Sequence, residues 1–144
     1  MTTSIDRTTQ YARDVVKGRI VTGELVRLAC ERHLRDLKEG PKRGLRWDVD
    51  SAKRAIGFFP AVLSITEGAR EGEPFNLLPW HLFVVGSIYG WRDRSGFRRF
   101  RFVWMETGKG QAKSPLMAGL GLYEILGRKK RRAEVYCIAE DRKT

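Results

Sequence analysis

From residue 9 onward, apolar positions recur at helical spacing between polar breaks. Residues 9–20 predict a short helix broken near Gly18. Residues 23–38 predict a longer one. There Leu25, Ala29, His33 and Leu37 recur every four positions, and Val26 and Leu34 widen the stripe. Thr22 is the expected N-cap, and Gly40-Pro41 ends the pattern. After a basic loop at 41–46, Asp48 or Asp50 should cap a helix with Ala52, Ala55, Ile56 and Phe59 on one face, closed by Pro60. Residues 64–79 are rich in Gly, Glu and Pro and predict irregular chain. Residues 80–89 predict an apolar helix stopped by Gly90, and residues 92–96 carry turn chemistry. Phe100, Phe102 and Trp104 then alternate with Arg99, Arg101 and Val103, the period of a strand. A Gly-rich turn at 107–112, a helix from Ser114 to about Leu126, a basic turn at 127–132 and a second strand at 133–139 complete a βαβ pattern. No internal repeat or low-complexity tract interrupts it.

Of the 144 residues, 42% are hydrophobic and 31% charged, which allows a core and argues against global disorder. No apolar run approaches the ~18–20 residues of a membrane span, and the opening MTTSIDRTTQ lacks the apolar stretch of a secretory signal. Cys30 and Cys137 are too few for a disulfide scaffold, lack metal-site spacing and point to a reducing compartment. The net charge of +11 is uneven: residues 1–90 carry 14 basic and 11 acidic side chains, residues 91–144 carry 14 and 6. A polyanion would be attracted chiefly to the last third.

The turn of the βαβ pattern carries the candidate chemistry: Thr107, Gly108, Lys109, Gly110, Gln111, Ala112, Lys113 and Ser114, followed by Pro115. Glycines let backbone N–H groups close around phosphates, and the start of the next helix adds free donors and a positive dipole end. Lys113 would reach the β and γ phosphates, the Ser114 hydroxyl would ligate Mg²⁺, and Pro115 suits a first helical turn. Against the pattern GxxxxGK[ST], Thr107 replaces the first Gly and Ala112 the second, where a Cβ would crowd the wrapped backbone. An ordinary Gly-containing turn with surface lysines is the competing reading. The expected fold class is α/β: an N-terminal helical region over 1–60, then an incomplete P-loop NTPase (βαβ) core over 61–144.

Several segments, in order, resemble the N-terminal part of phage terminase large subunits, the motors that package double-stranded DNA into procapsids. They are Tyr11-Ala12-Arg13-Asp14-Val15-Val16, Leu28-Ala29-Cys30-Glu31-Arg32-His33-Leu34, and Phe75-Asn76-Leu77-Leu78-Pro79-Trp80. Gly86-Ser87-Ile88-Tyr89-Gly90-Trp91, Arg98-Arg99-Phe100-Arg101, Glu106-Thr107-Gly108-Lys109-Gly110 and Lys113-Ser114-Pro115-Leu116 follow. Gly119-Leu120-Gly121-Leu122-Tyr123 and Ala133-Glu134-Val135-Tyr136 close the series.

The resemblance implies that Lys113 and Ser114 are the Lys-Ser pair of a Walker A loop, and that Lys109 is the basic residue four positions earlier, near the γ-phosphate. The family's Pro-Trp-Gln adenine motif becomes Pro79-Trp80-His81, so Trp80 and His81 are the expected adenine contacts. His81 lacks the paired amide donor and acceptor of glutamine, and Trp80 also suits a packing role. ATP and Mg²⁺ are the implied ligands. Double-stranded phage DNA, the portal, the small terminase subunit and a complementing chain are the implied partners, with no membrane. The setting would be the bacterial host cytoplasm rather than the mature virion. His33 reads as a core or interface histidine, and Met105 and Met117 as packing beneath the loop. Arg98, Arg99 and Arg101 read as an interface or solvent face, and the run Arg128-Lys129-Lys130-Arg131-Arg132 as a DNA contact or a helix-capping turn.

A full motor of this family also has an acidic Walker B strand, a catalytic glutamate and a nuclease domain. The chain closes on Glu140-Asp141-Arg142-Lys143-Thr144 without the apolar run that precedes a paired Asp-Glu. The expectation is a motor fragment cut before Walker B, with catalytic residues unassigned and no meaningful turnover alone. A catalytically inactive basic phage protein binding DNA or a packaging subunit, and an unrelated P-loop nucleotide-binding protein, are the alternatives.

Overall fold

The computed structural model describes residues 5–66, 68–128 and 132–138. The chain forms two compact units, Met1–Thr107 and Gly108–Thr144.

Unit 1 is helical. α1 (Arg7–Val16) begins at Asp6, whose carboxylate accepts the Thr9 amide at 3.1 Å, and it buries Thr8, Thr9, Tyr11, Ala12 and Val15. Gly18 takes a left-handed φ of +73° in the turn beyond it. α2 (Glu24–Glu39) starts from Gly23, one residue after the expected cap at Thr22. Its buried positions are Cys30, His33 and Asp36, while Leu25 and Val26, expected on the inner stripe, are exposed. Gly40-Pro41 passes into a 3₁₀ turn (Gly40–Arg43), and the chain reaches β1 (Arg46–Trp47).

α3 (Val49–Val62) is capped by Asp48, which accepts the Ser51 amide at 3.0 Å. It runs through Pro60 rather than closing there, since the ring sits in its last turn. Beyond α3, Ser64 and Pro74 form an antiparallel bridge.

α4 (Pro79–Gly90) is apolar on every side and buries most of its length, as a core helix should. It packs against α1 and α3, and α1 packs on α2. One core cluster joins Tyr11, Ala12, Val15, Cys30 and Phe83. The α1–α4 contact is close enough that a Cβ on Gly86 would meet Thr8 Oγ1 at 1.9 Å. β2 (Trp91–Arg92) pairs antiparallel with β1, setting Arg46 opposite Arg92 and Trp47 opposite Trp91. The expected division at residue 60 falls in the last turn of α3, within unit 1.

Unit 2 holds α5 (Lys113–Leu122), continued by a π-helical turn (Tyr123–Gly127). Val135 Cγ1 lies over Gly121, where a Cβ would sit 3.3 Å away.

The βαβ pattern is corrected by the structure. Residues 100–104 and 133–138 form no strand, and Ala139 lies outside the described residues. Alternation makes a segment fit for a sheet, but a strand also needs a partner for its N–H and C=O groups. Among the described residues the two named strands are β1 and β2, so Phe102, Trp104 and Ile138 stay exposed. The fold is mixed: helices with one small two-stranded sheet.

Candidate functional site

The Gly-rich loop keeps the strand-free approach at 100–107 but ends, as expected, in a helix. Gly110 (φ +81°) and Ala112 (φ +54°, ψ +30°) both take left-handed backbone, and Lys113 opens α5 immediately afterward. An alanine there is strained by roughly 1–2 kcal/mol, and it stands where the pattern asks for glycine. α1 and α3 are capped by carboxylates, whereas α5 has no side-chain cap. Its first amides, with Pro115 in the first turn, therefore face outward without an intrahelical acceptor. Gly108, Lys109, Gly110, Gln111, Lys113 and Ser114 are exposed and Ala112 is half-buried. The Ser114 hydroxyl is available to a cation carried by a phosphate. No cluster of three His, Cys, Asp or Glu suited to a metal occurs among the described residues.

Within unit 1, Thr107 lines a cavity of about 470 Å³ together with Trp80, Tyr11, Phe83 and residues 104–106. Thr107 Oγ1 is buried there without a hydrogen-bond partner among the described residues. Glu106 accepts the indole N–H of Trp104 at 3.0 Å. Thus Trp80 presents a ring to an open aromatic cavity. His81, expected beside it as a partly exposed base contact, is instead 1% exposed. Its Nδ1 accepts the Leu78 amide at 3.1 Å, which ties the ring to the start of its own helix. Met105 lines the same cavity, but Met117 is half exposed rather than packed.

Two polar networks beneath these features were not legible as such. His33 Nδ1 accepts the Trp91 indole N–H at 3.0 Å, and its Nε2 lies 2.9 Å from Thr9 Oγ1. Neutral His33 with the proton on Nε2 satisfies both, because Thr9 passes its own hydroxyl proton to Asp6 at 2.6 Å. Trp47 Nε1 donates to that same carboxylate at 2.8 Å. Burial lowers the His33 pKa to about 4, against the opposing pull of Asp6 and Asp36.

The second network centres on Asp36, 1% exposed, which takes Arg99 at 2.6 Å and also Arg43. Burial raises its pKa, but hydrogen bonds from Arg99 and Arg43 and their charges outweigh this and hold it below the ordinary carboxylate range. Arg99 also lies over the rings of Trp91 and Phe100, at 5.4 and 5.0 Å. Two signals could have found this: Asp36 on the helix stripe one turn after His33, and Arg99 beside the aromatic Phe100.

The remaining candidates divide simply. Burial pushes the Cys30 thiol up to about 11, which makes it inert, and Cys137 is exposed. Arg128 pairs with Glu124 one turn earlier in its helix, while residues 129–131 and 140–141 lie outside the described residues. No described helix is long and apolar enough to cross a membrane.

Compared with known proteins, residues 79–144 match the family described as terminase large subunit, ATPase domain, just under half of the chain. No curated protein and no solved structure matched. The matched span takes in α4, β2, the arginine-rich segment, the whole 107–114 loop and α5. Over residues 79–144 the chain is thus similar to the terminase large subunit ATPase domain, in agreement with the resemblance carried by its motifs.

Proposed function

We propose that the chain binds ATP with Mg²⁺ through the 107–114 loop, as part of a phage DNA-packaging motor. The observation that carries this reading is the uncapped start of α5, directly after left-handed Gly110 and Ala112, inside a terminase ATPase-domain match. Lys113 would supply the phosphate-binding charge and the open first-turn amides the hydrogen bonds. Ser114 would complete the coordination of a Mg²⁺ held mainly by the phosphates. Lys109, four residues earlier in the exposed turn, is placed by the same reading near the γ-phosphate. An incomplete α/β core of P-loop type belongs to this reading.

In unit 1, Trp80 is the residue we assign to the base, because its ring lines an aromatic cavity of about 470 Å³. His81 serves this role by holding the start of α4 through Leu78 rather than by offering Nδ1 to the base. Double-stranded DNA, the portal and the small subunit are the corresponding partners, in the cytoplasm of an infected host.

The test is equilibrium binding of a fluorescent ATP analogue, with and without Mg²⁺. Lys113→Ala should weaken binding at least tenfold, the loss of one charge-assisted contact of roughly 1.5–3 kcal/mol. Equal binding by native chain and variant would remove the loop from the site.

A further inference from the structure

We propose that Glu106 and the hydroxyl of Thr107 read the edge of the base in the unit 1 cavity and select a 6-aminopurine, so that Thr107 serves the base rather than the phosphates. The inference rests on the reading of Trp80 and its cavity as the base side of an ATP site, and it supplies the selectivity that His81 does not.

The cavity of about 470 Å³ is walled largely by rings and aliphatic groups, with Tyr11, Trp80, Phe83 and Trp104 among them. Such walls hold the face of a planar base by stacking and burial, and every base has such a face. Selection therefore falls to polar groups at the edge. His81, expected from the sequence to contact the base, is absent from these walls; it is buried and its Nδ1 is taken by the Leu78 amide. Apart from the polar atoms of the aromatic side chains, the polar side chains of the wall are Glu106 and Thr107.

Thr107 Oγ1 is buried and has no hydrogen-bond partner among the described residues. A buried hydroxyl left in this state is costly, and a ligand that brings its partner recovers that cost on binding. Glu106 is its neighbour in sequence. Glu106 Oε1 accepts the Trp104 indole N–H at 3.0 Å, which ties the carboxylate to another wall residue and leaves its second oxygen for a ligand.

The two groups have different capacities. A carboxylate only accepts, whereas a hydroxyl both donates and accepts. Together they fit an edge that carries a donor beside an acceptor. Adenine presents that pair as its 6-amino group beside a ring nitrogen, while the 6-oxo group of guanine or hypoxanthine sets an acceptor against the carboxylate.

The experiment is displacement of a ribose-labelled fluorescent ATP analogue from the full chain with Mg²⁺, by ATP and by purine riboside triphosphate, which lacks only the 6-amino group. ATP should displace at a concentration about tenfold lower or less, because a site that hydrogen-bonds a substrate N–H rejects the analogue without it. Glu106→Ala should bring the two competitors within about twofold of each other. That ratio cancels the change in net charge, since both carry the same triphosphate. Thr107→Val should weaken ATP about five- to tenfold without lowering the melting temperature of the free chain, because it removes an unpartnered group. Thr107→Ser should restore ATP binding. Circular dichroism checks folding, and Thr107→Ala and Glu106→Ser replace the first variants if these unfold.

Equal displacement by the two competitors in the native chain overturns the proposal, as does a ratio that neither variant changes. GTP binding tighter than ATP also overturns it, by turning the carboxylate toward the N1–H and 2-amino edge of guanine. Inorganic tripolyphosphate separates this failure from that of the phosphate loop. If tripolyphosphate displaces the analogue and Lys113→Ala weakens it, the loop stands, and a flat ratio strikes the base assignment alone. If Lys113→Ala has no effect, the loop reading falls while the ratio still decides the cavity. No displacement by ATP overturns both.

Discussion

The indole N–H of Trp91 donates to Nδ1 of His33 at 3.0 Å, tying α2 to β2 across 58 positions of sequence. The bond requires an unprotonated Nδ1. With Thr9 of α1 on the other nitrogen, the imidazole is held neutral between one helix and one strand.

Acid should therefore loosen unit 1 through His33. The folded His33 pKa of about 4 lies below the ordinary value of 6.5. The unfolded chain thus binds the proton first, and stability is complete above about 6.5 and declines toward 4. At pH 5 the loss relative to pH 7 should be about 2 kcal/mol. Urea titrations should show that fall in the native chain and a flatter profile in His33→Gln; identical slopes would refute the assignment.

Arg99 and Arg43 hold the same carboxylate but differ in exposure, 19% against 53% for their side chains. Arg99→Gln should cost about 3 kcal/mol, because it removes a shielded partner from a buried charge. Arg43→Gln should cost under about 1 kcal/mol, since its charge is largely screened. Chemical denaturation of both variants reads the difference, and equal costs would mean that Asp36 is wetter than its burial indicates.

Gly86 owes its identity to Thr8. Gly86→Ala forces a methyl group against Thr8 Oγ1, which itself donates to Leu82 O at 3.2 Å. A loss of about 2–3 kcal/mol is expected. Thr8→Ala removes the nearest atom, so the double variant should be more stable than the two separate losses predict. Strict additivity in thermal melts would place the strain elsewhere.

At the loop, Ala112→Gly should relieve left-handed strain at the start of α5. The gain, reduced by the greater freedom of glycine in the unfolded chain, is about 0.5–1 kcal/mol. Slower hydrogen exchange along α5 and tighter ATP-analogue binding are the expected readouts, with Ala112→Val moving both the other way.

The helices were legible because each depends on local signals: Asp48 at one start, Gly18 and Gly40 at breaks, and a mainly apolar run from 80 to 89, whereas the Asp6 cap of α1 emerged only in the structure. The inner face of α2 was less so. Leu25 and Val26 fit the stripe by period, but burial is decided by what packs opposite, and there the structure places the open cavity beside Trp80. Residues 100–104 show the same limit, for alternation cannot supply a strand partner.

The sequence by itself determined most helical segments, the helix that follows the Gly-rich loop, the charge and the motifs that resemble terminases, all set by neighbours within a few residues. Tertiary structure decided the rest. It buried His33 and Asp36, turned His81 inward, moved Arg98 and Arg99 from a presumed strand face into an arginine cluster, and paired Trp47 with Trp91. Those outcomes depend on desolvation and on partners 40 to 60 positions away, such as Trp47 for Asp6 and Trp91 for His33, which no local pattern encodes.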